Sequence, residues 1–222
     1  MGEKKKNIYI TTPAGIAKYP WLQKADTRFN AKGTYKVDLI VPKSACEELC
    51  KQLDVMAAEA FEEAKADPKK VAAAKAKRKV IELNAPYLPE LDEAGNETGN
   101  IVFKFKTNAT AEISGELKEF KPAIFDAKGK PVTTNIFIYG GSKLRVNFSP
   151  IKYYTASTFG AGVSCRLNAV QVITLVSGGR NAGSFGFGAE DEGFEFADGN
   201  AAGPEGEAAA GEGGTPKGAS EF

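Results

Sequence analysis

From residue 35 the chain alternates apolar and polar positions. Tyr35, Val37, Leu39 and Val41 fall on one side of a strand and Lys36, Asp38 and Ile40 on the other, and Pro42 ends it. A helical period follows. Cys46, Leu49, Cys50, Leu53, Met56, Ala57, Ala60, Phe61 and Ala64 recur at three- and four-residue spacing, behind a Ser44/Glu47 capping-box signature. Glu48, Lys51, Gln52, Glu59 and Glu62 occupy the opposite face, so the stripe is expected to pack on a sheet. Pro68 interrupts or closes this helix.

The second half alternates almost throughout. Ile101, Phe103 and Phe105 oppose Lys104 and Lys106, and Leu144, Val146 and Phe148 oppose Lys143, Arg145 and Asn147. Further strands are expected over Asn7–Thr11, 117–125 (broken by Pro122), Asn135–Tyr139, Ile151–Ser157 and Val163–Val176, the last being the longest. Trp21–Lys32 reads as an exposed loop, Pro86–Asn100 as a polar loop, and Phe159–Gly162 as a flexible turn. Five to seven strands with one inserted helix predict a mostly β fold, a small barrel with peripheral additions. Strand and helix do not alternate, which argues against a doubly wound sheet.

Charge divides the chain in two. Of 29 Lys/Arg and 28 Asp/Glu, one lysine and nine acidic residues lie between Glu190 and Phe222. The formal net charge of +1 therefore combines a body near +9 with a tail near −8. The tail is Gly/Ala/Glu-rich and poor in branched apolar residues, so it cannot offset the entropy of folding alone. The expected organisation is one folded domain over residues 1–177, a Gly-rich linker over 178–189, and a flexible acidic tail over 190–222. A basic body tethered to an acidic tail suits a protein that binds a polyanion and carries a competing anion.

Several chemistries are disfavoured by composition. Histidine is absent, which excludes Ser–His and Cys–His nucleophilic pairs and any imidazole metal ligand. Cys46, Cys50 and Cys165 are too few for a disulfide framework or a four-ligand zinc site, and are expected to be buried thiols. Gly140-Gly141-Ser142-Lys143 imitates a phosphate-binding loop, but a strand rather than a helix follows it. No catalytic residue, metal or cofactor is expected. No membrane span or secretory leader is apparent, and a reducing cytoplasmic setting is expected.

A single-stranded nucleic acid asks for cations along its backbone and flat side chains for its bases. Lys143, Arg145 and Lys152 lie near Tyr153 and Tyr154 in the chain, and Lys104 and Lys106 share a strand face. The lysine-rich segment Lys69–Lys79, with Arg78, is either a solvated helix face or a phosphate-contacting arm. Two further readings stay open from residues alone. The chain is otherwise an interaction factor acting through its tail, or an RNA-binding barrel, because 2′-hydroxyl contacts leave no mark in the sequence.

Three stretches carry a resemblance. They are Gly33-Thr34-Tyr35-Lys36-Val37-Asp38-Leu39 with Val41-Pro42, Phe103-Lys104-Phe105-Lys106-Thr107, and Gly140-Gly141-Ser142-Lys143-Leu144-Arg145-Val146 continued by Tyr153 and Gly162-Val163-Ser164. In order and spacing, over roughly Tyr19 to Val176, the chain resembles the single-stranded DNA-binding proteins of T7-like phages. The resemblance implies an OB-fold barrel carrying a packed α-helix and a disordered acidic C-terminal tail. It implies homodimers that coat and anneal single-stranded DNA in replication, recombination and repair, in the cytoplasm of the infected bacterial host. It implies DNA contacts at Lys104, Lys106, Lys143, Arg145, Lys152, Tyr153 or Tyr154, and, more loosely, Arg78. The tail residues Glu190, Asp191, Glu192, Glu195, Asp198, Glu221 and Phe222 would meet the phage DNA polymerase and helicase–primase and shield the groove and the dimer surface. The tail here is less densely acidic than the family's, with Glu205, Glu207 and Glu212 spaced by Gly and Ala and Lys217 near the end.

Overall fold

The computed structural model describes residues 8–113, 115–134 and 136–176. The expected linker and tail, including Glu190, Asp191, Glu192, Glu195, Asp198, Glu221 and Phe222, lie outside these residues. In chain order the elements are β1 (Ile10–Thr11), β2 (Gly15–Asp26), β3 (Thr34–Pro42), α1 (Glu47–Ala66), α2 (Pro68–Ala76), β4 (Glu82–Asn84) and β5 (Leu88–Leu91). Then come β6 (Glu97–Asn108), β7 (Thr110–Ile113), β8 (Glu116–Glu119), β9 (Ala123–Phe125), β10 (Lys143–Thr155) and β11 (Gly160–Thr174).

The chain forms a mostly-β, OB-like sheet with a packed helix. β10 pairs with β2, β2 with β3 and β3 with β6, all antiparallel; β6 pairs in parallel with β11, and β11 returns antiparallel to β10. β1, β4, β5 and β9 extend this circuit, and β7 with β8 forms a separate two-stranded hairpin.

The alternation in the sequence decides which side of each strand is inside. Val37, Leu39, Val41, Phe103, Leu144, Val146 and Phe148 are fully buried. Phe105 sits between Phe103 and Phe148, with ring centroids at 6.3 and 5.0 Å. Burying each of these rings contributes roughly 1.5–3 kcal/mol, and well-oriented aromatic pairs add about 0.5–1.5 kcal/mol. α1 lies against β10 and β11 and places Leu49, Cys50, Leu53 and Ala57 in the same core. Its alanines at 57, 60 and 64 are all buried, because small side chains allow a helix to approach closely. Tyr87 packs on Phe103 and its hydroxyl donates to Asp54 Oδ2 at 2.8 Å, tying β5's approach to α1.

Several local expectations are corrected. Trp21 through Asp26 belongs to β2, so only residues 27–33 form the loop. Pro20 and charged residues obscure this strand's period, and Tyr19, at φ +51°, lies where its register with β3 shifts. Pro86–Asn100 is largely a β5–β6 hairpin whose turn is held by Asp92 Oδ1 accepting from Ala94 N and Asn96 N. Ser44 does not cap α1; it lies in a 3-10 turn over Lys43–Ala45, and the N-cap is Cys46 with no side-chain cap bond. Pro68 closes α1 by opening α2 at its first turn, where Asp67 accepts from Lys69 N at 3.0 Å. Residues 136–139 are not a strand, and Asn135 lies outside the described residues. Gly160 to Gly162 begins β11 instead of forming a turn, and β4 approaches it closely: a Cβ on Gly162 would meet Asn84 O at 2.7 Å.

Candidate nucleic-acid interface

Strand pairing brings together cations that lie far apart in sequence. The register matches Trp21 to Lys36, Lys36 to Lys106, and Lys106 to Arg166. Their neighbours Leu22, Val37, Phe105 and Cys165 are buried, so alternation turns all four of these residues outward. Adjacent strands lie about 4.8 Å apart, so the row crosses four strands of one face. Lys104 stands about 7 Å from Lys106 along β6 and is matched to Asp38, which is matched in turn to Lys18.

The charges of this face differ in their availability. Lys36 Nζ lies 2.7 Å from Asp26 Oδ2, and the Arg28 side chain forks onto both Asp26 oxygens at 2.9 and 3.0 Å. Those partners, Arg28 first and then Lys36, hold the Asp26 carboxyl well below the usual carboxylate range. Asp38 is pushed up by burial, against the opposing pull of Lys104, Lys36 and Lys18. Among the described residues no ion pair engages Lys104, Lys106, Lys143, Arg145 or Arg166.

Lys106 and Arg166 line a cleft of about 700 Å³ together with Tyr9, Phe120, Lys121 and Ile151. The cleft continues polar along β11. Asn168 Nδ2 donates to Asn147 Oδ1 at 3.2 Å and to Ser149 Oγ at 3.0 Å. Asn147 and Arg145 then line a second, smaller depression with Gln171. Arg145, matched to Gln171, and Lys143, matched to Ile16 on β2, stand on the first half of β10, beyond this bridge.

The remaining sequence candidates are placed elsewhere. Lys152 Nζ contacts Glu63 Oε1 at 2.7 Å and Glu59 Oε2 at 2.9 Å on α1, and these two carboxylates raise its affinity for the proton. Its charge therefore serves the helix–sheet junction. Tyr153 Oη accepts from Asn84 Nδ2 at 2.9 Å, which fastens β4 to β10. Tyr154 is half-buried, its hydroxyl has no hydrogen-bond partner among the described residues, and Lys70 lies 5.1 Å from its ring centroid. Arg78 follows α2 in the left-handed region, at φ +56°, in an exposed turn. The Lys69–Lys79 segment is thus helical through Ala76.

Arg166, Lys36, Lys121, Tyr9 and Phe120 escaped the reading of the sequence. Alternation between buried Cys165 and Leu167 is enough to turn Arg166 outward. Its place beside Lys106 comes from a parallel pairing that no local pattern encodes.

The family described as the single-stranded DNA-binding protein of bacteriophage T7 matches residues 14–175. The single-stranded DNA-binding protein of Enterobacteria phage T3 is 30% identical over 85% of this chain and 82% of its own length. That of Escherichia phage T7 is 31% identical over 74% of this chain and 72% of its own length. The crystal structure of the T7 phage protein superposes with a TM-score of 0.60 at 26% identity, covering 86% of this chain and all of that one. With the family matched from β2 through β11, including both helices and the cation row, the chain belongs to the single-stranded DNA-binding proteins of the bacteriophage T7 family.

Proposed function

We propose that this protein binds single-stranded DNA without regard to sequence, coats it and anneals complementary strands during phage DNA replication, recombination and repair. The observation that carries the reading is the outward pair Lys106 and Arg166, which line the large cleft and have no ion-pair partner among the described residues. Such cations neutralise phosphates and release counterions whatever the base sequence. The role is binding without catalysis, as in the family. The circuit of pairings through β10, β2, β3, β6 and β11 supports an OB-fold barrel as the scaffold, an architecture that suits strand binding across one face.

In this reading the acidic tail competes for the groove and recruits the phage DNA polymerase and helicase–primase through Glu221 and Phe222, and the protein works as a homodimer in the cytoplasm of the infected host. The opposite charges of body and tail support the competition. Among the described residues no helix is long and apolar enough to cross a membrane.

Salt-titrated binding of fluorescent single- and double-stranded oligonucleotides tests the proposal on the full chain and on a chain ending at Gly188. Preference for the single strand, with tighter binding and an altered salt slope after truncation, is the expected result. Absence of binding by either chain at low salt overturns it. Competition with matched RNA separates a DNA-binding from an RNA-binding protein.

A further inference from the structure

The loop between β2 and β3 presents an aromatic side chain that the core does not need. Phe29 is 90% exposed. The side chain leans on a charge: the Arg28 guanidinium lies 5.9 Å from its ring centroid and 4.8 Å from that of Trp21. Arg28 is itself fixed, because Nε and Nη2 donate to the two oxygens of the buried Asp26. Trp21, Arg28 and Phe29 thus form a graded stack, tied to the sheet at one end and open to solvent at the other.

The loop is built to keep that shape. Asn30 Nδ2 donates to Thr34 Oγ1 at 3.1 Å, and Asn30 Oδ1 accepts from Lys32 N at 3.1 Å. Gly33 N donates to Asn30 O at 2.8 Å, and Gly33 adopts φ +78° where a Cβ would meet Ala25 Cβ at 2.8 Å. An exposed phenylalanine held on a braced turn forfeits burial that a polar residue would not need. The row Trp21, Lys36, Lys106 and Arg166 leads away from it across the face.

We propose that Phe29, backed by Arg28 and Trp21, is a stacking platform for an unpaired base at one end of the cation row. This rests on the single-stranded DNA-binding reading and adds a stacking site away from Tyr153 and Tyr154. Every base offers a π face, so the platform tolerates any sequence. A base inside a duplex is covered on both faces by its neighbours, so the platform favours single strands.

The test uses the full chain as wild type, Phe29→Ala and Phe29→Tyr, with an oligodeoxynucleotide and an abasic deoxyribose-phosphate strand of equal length. Phe29→Ala is expected to weaken binding of the base-bearing strand by roughly 5- to 150-fold. Its affinity for the abasic strand, its salt slope and its urea midpoint should match wild type, and Phe29→Tyr should restore binding. Unchanged affinity of Phe29→Ala for the base-bearing strand overturns the proposal, and so does an equal loss on both strands. Failure of the wild type to bind either strand refutes the DNA-binding reading itself.

Discussion

Replacing Lys106 and Arg166 together by alanine separates a phosphate-binding row from a merely basic surface. Both side chains point outward from paired strands and hold no carboxylate among the described residues, so truncation leaves no buried charge uncompensated there. Each phosphate contact on a single strand contributes about 0.7 to the slope of log K against log salt. Loss of both contacts should therefore flatten the slope by about 1.4. Between about 50 mM and about 200 mM salt, the advantage of wild type over the double variant should shrink by about 7-fold. Lys152→Ala is the control, because Glu59 and Glu63 already hold that ammonium. Its slope should match wild type, although loosening α1 lowers stability. Fluorescence anisotropy across a salt series reads both quantities. A flattened slope for Lys152→Ala with an unchanged slope for Lys106→Ala/Arg166→Ala would refute the assignment of the face.

Three further outcomes follow from the packing and the charges. Phe105→Ala removes a ring that is 1% exposed and packed between two others, and should cost about 3–5 kcal/mol in urea denaturation; a loss below about 1 kcal/mol contradicts the core assignment. Asp26→Asn should be less stable than wild type at neutral pH. The folded carboxyl titrates below its unfolded value of about 3.9, so the benefit of the charge is present above that pH and fades as the solution is acidified; a stability gap constant down to about pH 2 counts against the pairing. Burial pushes the Cys165 thiol up to about 12, and burial together with the neighbouring Cys50 does the same for Cys46. Iodoacetamide at about pH 8 should therefore spare both until urea unfolds the chain, and rapid labelling of the native protein would show that the core opens there.

The sequence by itself determined the repeating elements and their buried faces. Alternation at 35–41, 101–106 and 143–148, and the helical stripe from Leu49 to Ala64, need only local geometry, since each side chain's face follows from its own neighbours. The charge division between body and tail is likewise a property of the chain alone. The β2 strand was hidden because Pro20 and several charges interrupt the period that would reveal it. Of the candidate face, the sequence alone showed only that Lys104 and Lys106 share one side of a strand. Proximity in sequence drew Lys152, Tyr153 and Tyr154 into the candidate groove, but α1 supplies two carboxylates to Lys152, and β4 supplies Asn84 to Tyr153. Tertiary structure also decided that Arg166 stands beside Lys106 and that Arg28 forks onto Asp26 between two aromatic rings. Strand register fixes which outward residues become neighbours, and register is a relation between segments that no single segment contains.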